Sequence, residues 1–550
     1  MTALWKLREQ MKGHFLIVTL AVALLWGCTL QAKPDTGKQE PSGEYTVTGK
    51  VTDYDLRLLE GVVVTDGLKS VKTGADGVYR IDSDLDRVKF ISVSTPSGYE
   101  SPVKGGVPVF YKKLSECQKI GNAYVADFSL KKIPSGADRY TLLISADPQP
   151  RPRSRGGDKL AYHSLDCCAD LYRDLKEYAA SVSGQKVYGI CLGDLVHEDM
   201  SLYAQYVEGL NGMGFPTYNV IGNHDNDTSA EDDEQGRRVF EENFGPCNYS
   251  FNIGKLHYVV LDNLIMKKGS GGLLNDYSEG LTDDVWEWLQ GDLAFVERSS
   301  TIMLCTHAPA FREINGSDKW ARGTCRHGND YASLLAKYRA VYAWAGHTHQ
   351  TFNYIYPSGH GKFANRLECH TLPRSTGELY TNEYLADGTP RGFLVVTVDG
   401  EDISWKWKPL AYQTGKHCGT PPDFRLRAWE YRDGVAYIGD VKLDESHQIG
   451  VSKDGDYVYA NVYMWDSAWE TPKFNGQAMS NISATYDRPQ KEIWEAYRDK
   501  SYFSRYNVGY SLNETAHPSL FRCRVSGAKG KGTVTVKDRF GNQYSSTIEW

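Results

Sequence analysis

From Tyr140 onward the chain repeats one pattern: an apolar run, a polar tip, then a stretch of helical spacing. Leu142-Leu143-Ile144 leads to Asp147-Pro148-Gln149, and the run from Val187 to Leu192 leads to Gly193-Asp194. Thr217 to Ile221 leads to Gly222-Asn223-His224-Asp225, Ile302-Met303-Leu304 leads to Thr306-His307, and Val341 to Ala345 leads to Gly346-His347-Thr348-His349. Short apolar runs bounded by turn residues predict buried strands. Between them, Leu165, Leu171, Leu175 and Tyr178 mark one predicted helix; Val285, Trp286, Leu289, Leu293 and Val296 mark another. Strands alternating with helices predict an α/β domain, here over residues 139–410 with Leu394 to Val398 and Trp405 to Lys408 as closing strands. In such sheets ligands gather at the carboxyl ends of the strands, so five loops are expected on one rim.

The flanks follow a different period. Over residues 44–133, Tyr45 to Gly49, Val62 to Thr65, Val78 to Ile81 and Phe90 to Val93 are short β-type runs, punctuated by Asp66-Gly67 and Asp76-Gly77. A small β-sandwich with a spacer or docking role is predicted. Residues 411–550 also read as β-rich, with Tyr457 to Tyr463 and Thr533 to Val536 as clear strands and Phe540-Gly541-Asn542 as the last turn. This region is expected to pack on the catalytic rim and shape the pocket, with binding of a surface glycan as the alternative. At the other end, Lys6, Arg8 and Lys12 precede the apolar run Phe15 to Trp26. The run is short for a membrane span and suits a signal-peptide core. Leu25-Trp26-Gly27-Cys28 resembles a bacterial lipobox, which implies a lipid on Cys28, a signal segment over 1–28 and a polar tether over 29–43.

Composition narrows this picture without overturning it. At 550 residues the chain exceeds one hydrophobic core. Its 36 Tyr, 13 Trp and 53 Gly suit β-rich domains with many turns. A formal net charge of −7 leaves no footprint for wholesale nucleic-acid binding, so no nucleic-acid partner is expected. The 11 cysteines form no metal-type CxxC pair. Cys191 and Cys305 are predicted core thiols, and vicinal Cys167 and Cys168 on a helix are not expected to bond to each other. Cys247, Cys325, Cys369 and Cys418 are predicted in loops, free to pair in an oxidising compartment.

The strand-end residues carry the chemistry. Asp147, Asp194, Asn223, His307, His347 and His349, with Gln149, form a mixed oxygen and nitrogen set suited to two divalent cations. Gly-His-Thr-His is the strongest single motif, because two imidazoles two residues apart in a turn can face neighbouring metals. In order, the motifs resemble those of the calcineurin-like metallophosphoesterase superfamily, in particular bacterial three-part members with a β-domain on either side. That resemblance implies a central α/β sandwich of two mixed β-sheets flanked by helices. It also implies that Asp194 bridges two metals, that Asp147 and His349 complete one site, and that Asn223, His307 and His347 complete the other. His224 would then contact the phosphate and act as general acid while a two-metal-activated water attacks phosphorus. The stretch Ala386 to Phe393 resembles a late segment of the same three-part members.

Two positions depart from the pattern. Gln149 stands where the first motif usually carries His, which favours Mn, Mg or Fe over Zn at that site. His197 stands where protein-phosphatase relatives place an Asp that orients the catalytic His, and where recombination-nuclease relatives carry a His. Substrate recognition is assigned to the loops: Arg151 after the first motif, Trp320 and Arg322 in the insertion before Tyr331, and Asn263 as a further rim residue. The expected function is hydrolysis of a phosphate ester, from a small molecule or an envelope component, by a lipid-anchored enzyme of the bacterial cell envelope. Its rivals are a phosphodiesterase or nucleotide pyrophosphatase and a catalytically weakened binding lipoprotein.

Overall fold

The computed structural model describes residues 45–134, 138–155, 163–182, 184–311, 326–349, 351–356, 365–377, 389–410, 430–432, 435–438, 441–442, 449–454, 456–481 and 519–549. The chain divides after Tyr45, and every element below belongs to the unit Thr46–Trp550. Cys28, the apolar run before it, Trp320, Arg322, Cys325 and Cys418 lie outside the described residues, as does the Ala386 to Gly388 part of the late segment.

The N-terminal region holds two main sheets. One is built on Val47–Asp53, which pairs with Val78–Ile81, Ala123–Val125 and Phe128–Lys132; the other joins Val63–Thr65, Ser70–Lys72, Phe90–Val93 and Tyr111–Lys113. Alternate residues of Val47–Asp53 are buried, as period-two side chains require. Val47, Val51, Val64, Tyr79 and Ile91 share one buried cluster with the central domain.

Eleven strands form the two central sheets. They are β1 Arg139–Ser145, β2 Lys186–Cys191, β3 Thr217–Asn219, β4 Tyr249–Ile253, β5 Leu256–Leu261, β6 Thr301–Thr306, β7 Ala340–Ala345, β8 Phe352–Tyr356, β9 Arg366–Thr371, β10 Gly392–Asp399 and β11 Asp402–Pro409. The first sheet runs β3-β2-β1-β10-β11 and the second β4-β5-β6-β7-β9-β8. β1, β2 and β3 are parallel, as are β5, β6, β7 and β9; the remaining pairs are antiparallel, so both sheets are mixed.

Side-chain alternation sorts the layers. Leu142, Ile144 and Ile190 of the first sheet share a cluster with Tyr258, Val260, Met303, Cys305 and Trp344 of the second. The neighbouring positions face away. Leu143, Cys191, Phe393 and Val395 pack with helices α1 Ser164–Ser181 and α2 Tyr203–Met213. Val259, Leu261, Ile302, Leu304 and Val341 pack with α3 Asp283–Leu293. Strands covered on both faces must be apolar throughout, and β5 and β6 are buried at every position. Helix α3 starts where Thr282 accepts the Val285 N–H, with Asp283 and Asp284 in its first turn, and it ends before the predicted Val296. β10 and β11 close the first sheet, and two buried ion pairs tie them to α1: Arg391 with Asp170 at 3.0 Å and Lys408 with Asp174 at 2.8 Å. Arg391 gives the described end of the late segment a structural task.

The C-terminal β-rich region docks on β8, β9 and β11. Arg539 lies 4.1 Å over the Trp405 ring and donates to Glu368 Oε2 at 2.5 Å, while Asn353 donates to the Trp465 carbonyl at 3.2 Å. The thiols correct one expectation. Cys369 lies in β9 rather than a loop, Cys247 is buried, and both are free, as are Cys167, Cys168, Cys191 and Cys305. Among the described residues no helix is long and apolar enough to cross a membrane.

Candidate metal centre

The parallel strands β1, β2 and β7 end in sharply turned loops. Six of the ten non-glycine residues with left-handed backbone among the described residues sit in these loops: Asp147, Gln149, Asp194, Glu198, His347 and His349, at φ from 43° to 68°. Such conformations are uncommon for residues with a Cβ and persist where the surroundings hold them. Their consequence is that polar side chains turn back over the strand ends. Two glycines permit the close approach: a Cβ on Gly222 would run into the Asp194 carboxylate, and one on Gly346 into that of Asp147.

The side chains meet as follows. Ligand atoms of Asp147, Asp194 and His307 all lie within 4.8 Å of one another. His307 Nε2 is 3.2 Å from Asp194 Oδ1 and 3.9 Å from Asp147 Oδ1, while its Nδ1 is 2.7 Å from the Leu192 carbonyl. His347 Nδ1 is 3.2 Å from His307 Nε2, and His349 Nε2 is 3.5 Å from Asp147 Oδ1. Backbone N–H groups hold both carboxylates: that of His347 donates to Asp147 at 3.0 Å, and that of His224 to Asp194 Oδ1 at 2.9 Å. Asn223 Oδ1 is buried with no hydrogen-bond partner. A buried, unpaired amide oxygen is costly alone and suits a cation; it belongs to the residue between Gly222 and His224, which both meet Asp194, so the residues present fit a two-metal centre. Gln149 turns its amide Nε2, not its oxygen, toward Asp194 Oδ2. In that orientation the amide nitrogen supports the carboxylate; a turn of the amide about its own axis would set the oxygen there instead.

The electrostatics agree with the geometry. Burial pulls the His307 imidazole down, but Asp194, its hydrogen bond and Asp147 outweigh this and raise it to about 10. Burial opposes the Asp194 charge too, yet His307 and His224 hold its carboxyl well below the usual range. The field that keeps a proton on His307 is the field that attracts a metal ion. Asp225 is different: burial and then the Asp194 charge push it up to about 7, and it accepts the N–H groups of Gly222, Leu195 and Val196. It fastens the second motif to the third.

His224 has a partner that sequence reasoning missed. Its Nδ1 is 3.3 Å from Glu198 Oε1, and the Glu198 N–H donates to the His224 carbonyl at 2.9 Å. His197 instead stacks on His224 at 4.2 Å, with its Nε2 2.5 Å from Arg151 Nη2. Burial, then His224 and Arg151, push the His197 imidazole down to about 3, so it stays neutral. Two more residues brace the loops. Buried Arg374 donates from Nε to the Asp147 carbonyl at 3.0 Å, and Asn263 brackets Ala308, the residue after His307, donating to its carbonyl at 2.8 Å and accepting its N–H at 3.2 Å. Asn263 is therefore a buried clamp rather than a rim residue. Nothing in the spacing announced Glu198 or Arg374: each reaches the site through backbone turns that no apolar period encodes.

Comparison with known proteins gives three family models matching in chain order. They are the N terminal of Calcineurin-like phosphoesterase over residues 45–133, Calcineurin-like phosphoesterase over 140–351, and the C terminal of Calcineurin-like phosphoesterase over 376–544. No curated protein matches the chain. Among solved structures, the chain is similar to a dimetal phosphatase from Danio rerio, with 14% identity over 49% of this chain and 95% of that chain and a TM-score of 0.34. It is similar to the purple acid phosphatase PPD1 from yellow lupin (Lupinus luteus) seeds, with 14% identity over 65% and 68% of the two chains and a TM-score of 0.35. It is also similar to the sulfate thiohydrolase SoxB from Thermus thermophilus, with 12% identity over 51% and 58% and a TM-score of 0.29.

Proposed function

We propose, from the premise that this chain belongs to the calcineurin-like phosphoesterases, a family of phosphoric ester hydrolases, that it hydrolyses a phosphate ester at a centre of two divalent cations. The observation that carries this reading is the convergence of Asp147, Asp194 and His307 within 4.8 Å, supported by the buried, unpartnered oxygen of Asn223. Asp147, Asp194 and His349 would hold one cation, with Gln149 beside Asp194, and Asp194, Asn223, His307 and His347 would hold the other. Bound there, Mn, Fe, Zn or Mg would supply Lewis-acid polarisation of the phosphoryl group and a nucleophile at neutral pH. His224 holds a proton for the departing oxygen: burial works against the charge, but Asp194 and Glu198 raise its affinity. Glu198 sets the imidazole's angle, and Arg151, steadied by His197, is available to a phosphoryl oxygen.

The test is an assay of metal-free protein, then protein reloaded with each of the four metals, on a chromogenic phosphomonoester and its matched diester. Metal-dependent turnover that Asn223→Ala and His224→Ala lose is the expected result, and the ratio of the two esters separates a monoesterase from a diesterase. Folded protein inactive with every metal would overturn the hydrolase reading in favour of a binding lipoprotein. We further propose a lipid on Cys28 that holds the enzyme at a bacterial envelope, on the strength of the sequence motif. Radiolabelled fatty acid incorporated by the parent and not by Cys28→Ser would support it, and equal labelling would count against it.

A further inference from the structure

We propose that Tyr277 is a positioning residue that sets the ring orientation and tautomer of His347 for metal binding, an inference resting on the two-cation reading above. Tyr277 lies on the hairpin Leu264–Lys268 with Leu274–Glu279, outside both central sheets and outside every strand-end motif. Its hydroxyl is 2.9 Å from His347 Nε2, and its ring meets the imidazole edge to face at 5.4 Å. The other ring nitrogen, Nδ1, is the one 3.2 Å from His307 Nε2, and His307 Nε2 in turn faces Asp194. Nδ1 is therefore the atom of His347 that would face a cation, and with its lone pair so used Nε2 would carry the proton and donate to the phenol oxygen. A hydrogen bond at the far nitrogen of a ligating imidazole fixes which nitrogen keeps its lone pair and raises its basicity.

The hairpin is built to hold that hydroxyl still. Met266 N–H donates to Asp233 Oδ1 at 2.7 Å, and Leu274 N–H donates to the Thr228 carbonyl at 2.8 Å. Both side chains are buried. At the hairpin's base, Gly280 N–H donates to the Asn263 carbonyl at 3.0 Å, and the Asn263 side chain brackets Ala308, the residue after His307. One rigid element thus braces His307 through Asn263 and His347 through Tyr277, the two imidazoles assigned to the same cation. The effect of losing the phenol should accordingly fall on one metal of the pair.

The experiment is a metal titration of full-chain protein against a chromogenic chelator, parent beside Tyr277→Phe, with nitrogen NMR of the histidine tautomers in the metal-free state. Tyr277→Phe keeps the ring contact and removes only the oxygen. Expected are two metals bound by the parent, one of them weakened roughly 10- to 100-fold in the variant, and a changed tautomer signal for one histidine. Identical affinities and tautomers in the two proteins would overturn the inference while leaving the two-cation reading intact. A change in KM or kcat with both metal affinities unchanged would also overturn it, making Tyr277 a substrate contact. A parent that binds no metal would overturn the two-cation reading itself, and this inference with it.

Discussion

The residue that most changes the picture is Glu198. A carboxylate 3.3 Å from His224 Nδ1 does two things: it fixes the imidazole's rotation and it favours the protonated ring. His197, a candidate substrate contact in the sequence, stacks on His224 as a neutral imidazole and is bound to Arg151, so that it orients the guanidinium. Glu198→Gln should keep the hydrogen bond and lose the charge. Because Glu198 raises the His224 pKa, and because a general acid works only while protonated, removing the charge should move the alkaline limb of kcat to lower pH. The rate at neutral pH should fall about 10-fold, within the range that general acids supply. The loss should be larger for alkyl than for nitrophenyl esters, since only a poor leaving group needs the proton. Equal losses on both, measured as pH-rate profiles, would show that Glu198 acts on folding and not on proton transfer.

At the scale of elements, function rests on the strand-to-loop corners. Gly346 sits where a Cβ would meet the Asp147 carboxylate and the Ala146 side chain, both at the end of β1. Gly346→Ala should therefore displace β1's corner from β7's by a few tenths of an ångström or more. The expected outcome is loss of about 100-fold in metal-dependent turnover, the penalty typical of a slightly misplaced constellation. Circular dichroism should stay unchanged and metal affinity should fall; unaltered affinity would sink the steric account. These corners were legible in the chain because each apolar run is a strand and each run ends at a polar tip. Asp147, Asp194, His307, His347 and His349 could be read this way, and the structure brings them together, with Asn223 on the loop between Gly222 and His224 that meets Asp194. Glu198, Tyr277 and Arg374 could not. Glu198 depends on a left-handed turn, Tyr277 on a hairpin folding back over the rim, and Arg374 on the segment after β9 crossing to the Asp147 and Gln149 carbonyls. Contacts of that kind are set by tertiary placement, and a one-dimensional period carries no record of them.

The three-part architecture follows from the change in hydrophobic period, but how the C-terminal region is fastened to the catalytic domain is a whole-molecule property. Its anchor is charged and buried. Arg539 reaches Glu368 Oε2 and stacks on Trp405, His370 Nε2 is 3.1 Å from the same Glu368 oxygen, and Arg366 Nε is 2.5 Å from Oε1. Burial opposes the Glu368 charge, yet the hydrogen bond and charge of His370 and those of Arg539 outweigh it and hold the carboxyl at about 2. A carboxyl depressed on folding stabilises the docked state above its unfolded pKa, near 4.5, and loses that contribution as pH falls toward 2. His370 adds to the same trend, since burial lowers its pKa and unfolding lets it take a proton below about 6.5. Removing one partner of a buried pair leaves the other charge uncompensated, typically at a cost of about 3–5 kcal/mol. Arg539→Ala should thus undock the C-terminal region more readily at neutral pH, measured as faster limited proteolysis and a lower urea midpoint. As the pH is lowered from 5 toward 3, Glu368 becomes protonated in the variant first and then approaches protonation in the parent, so the gap between the two proteins should narrow. A gap that stays constant across that range would assign the anchor to the Arg539 and Trp405 stack alone, with no share for the ion pair.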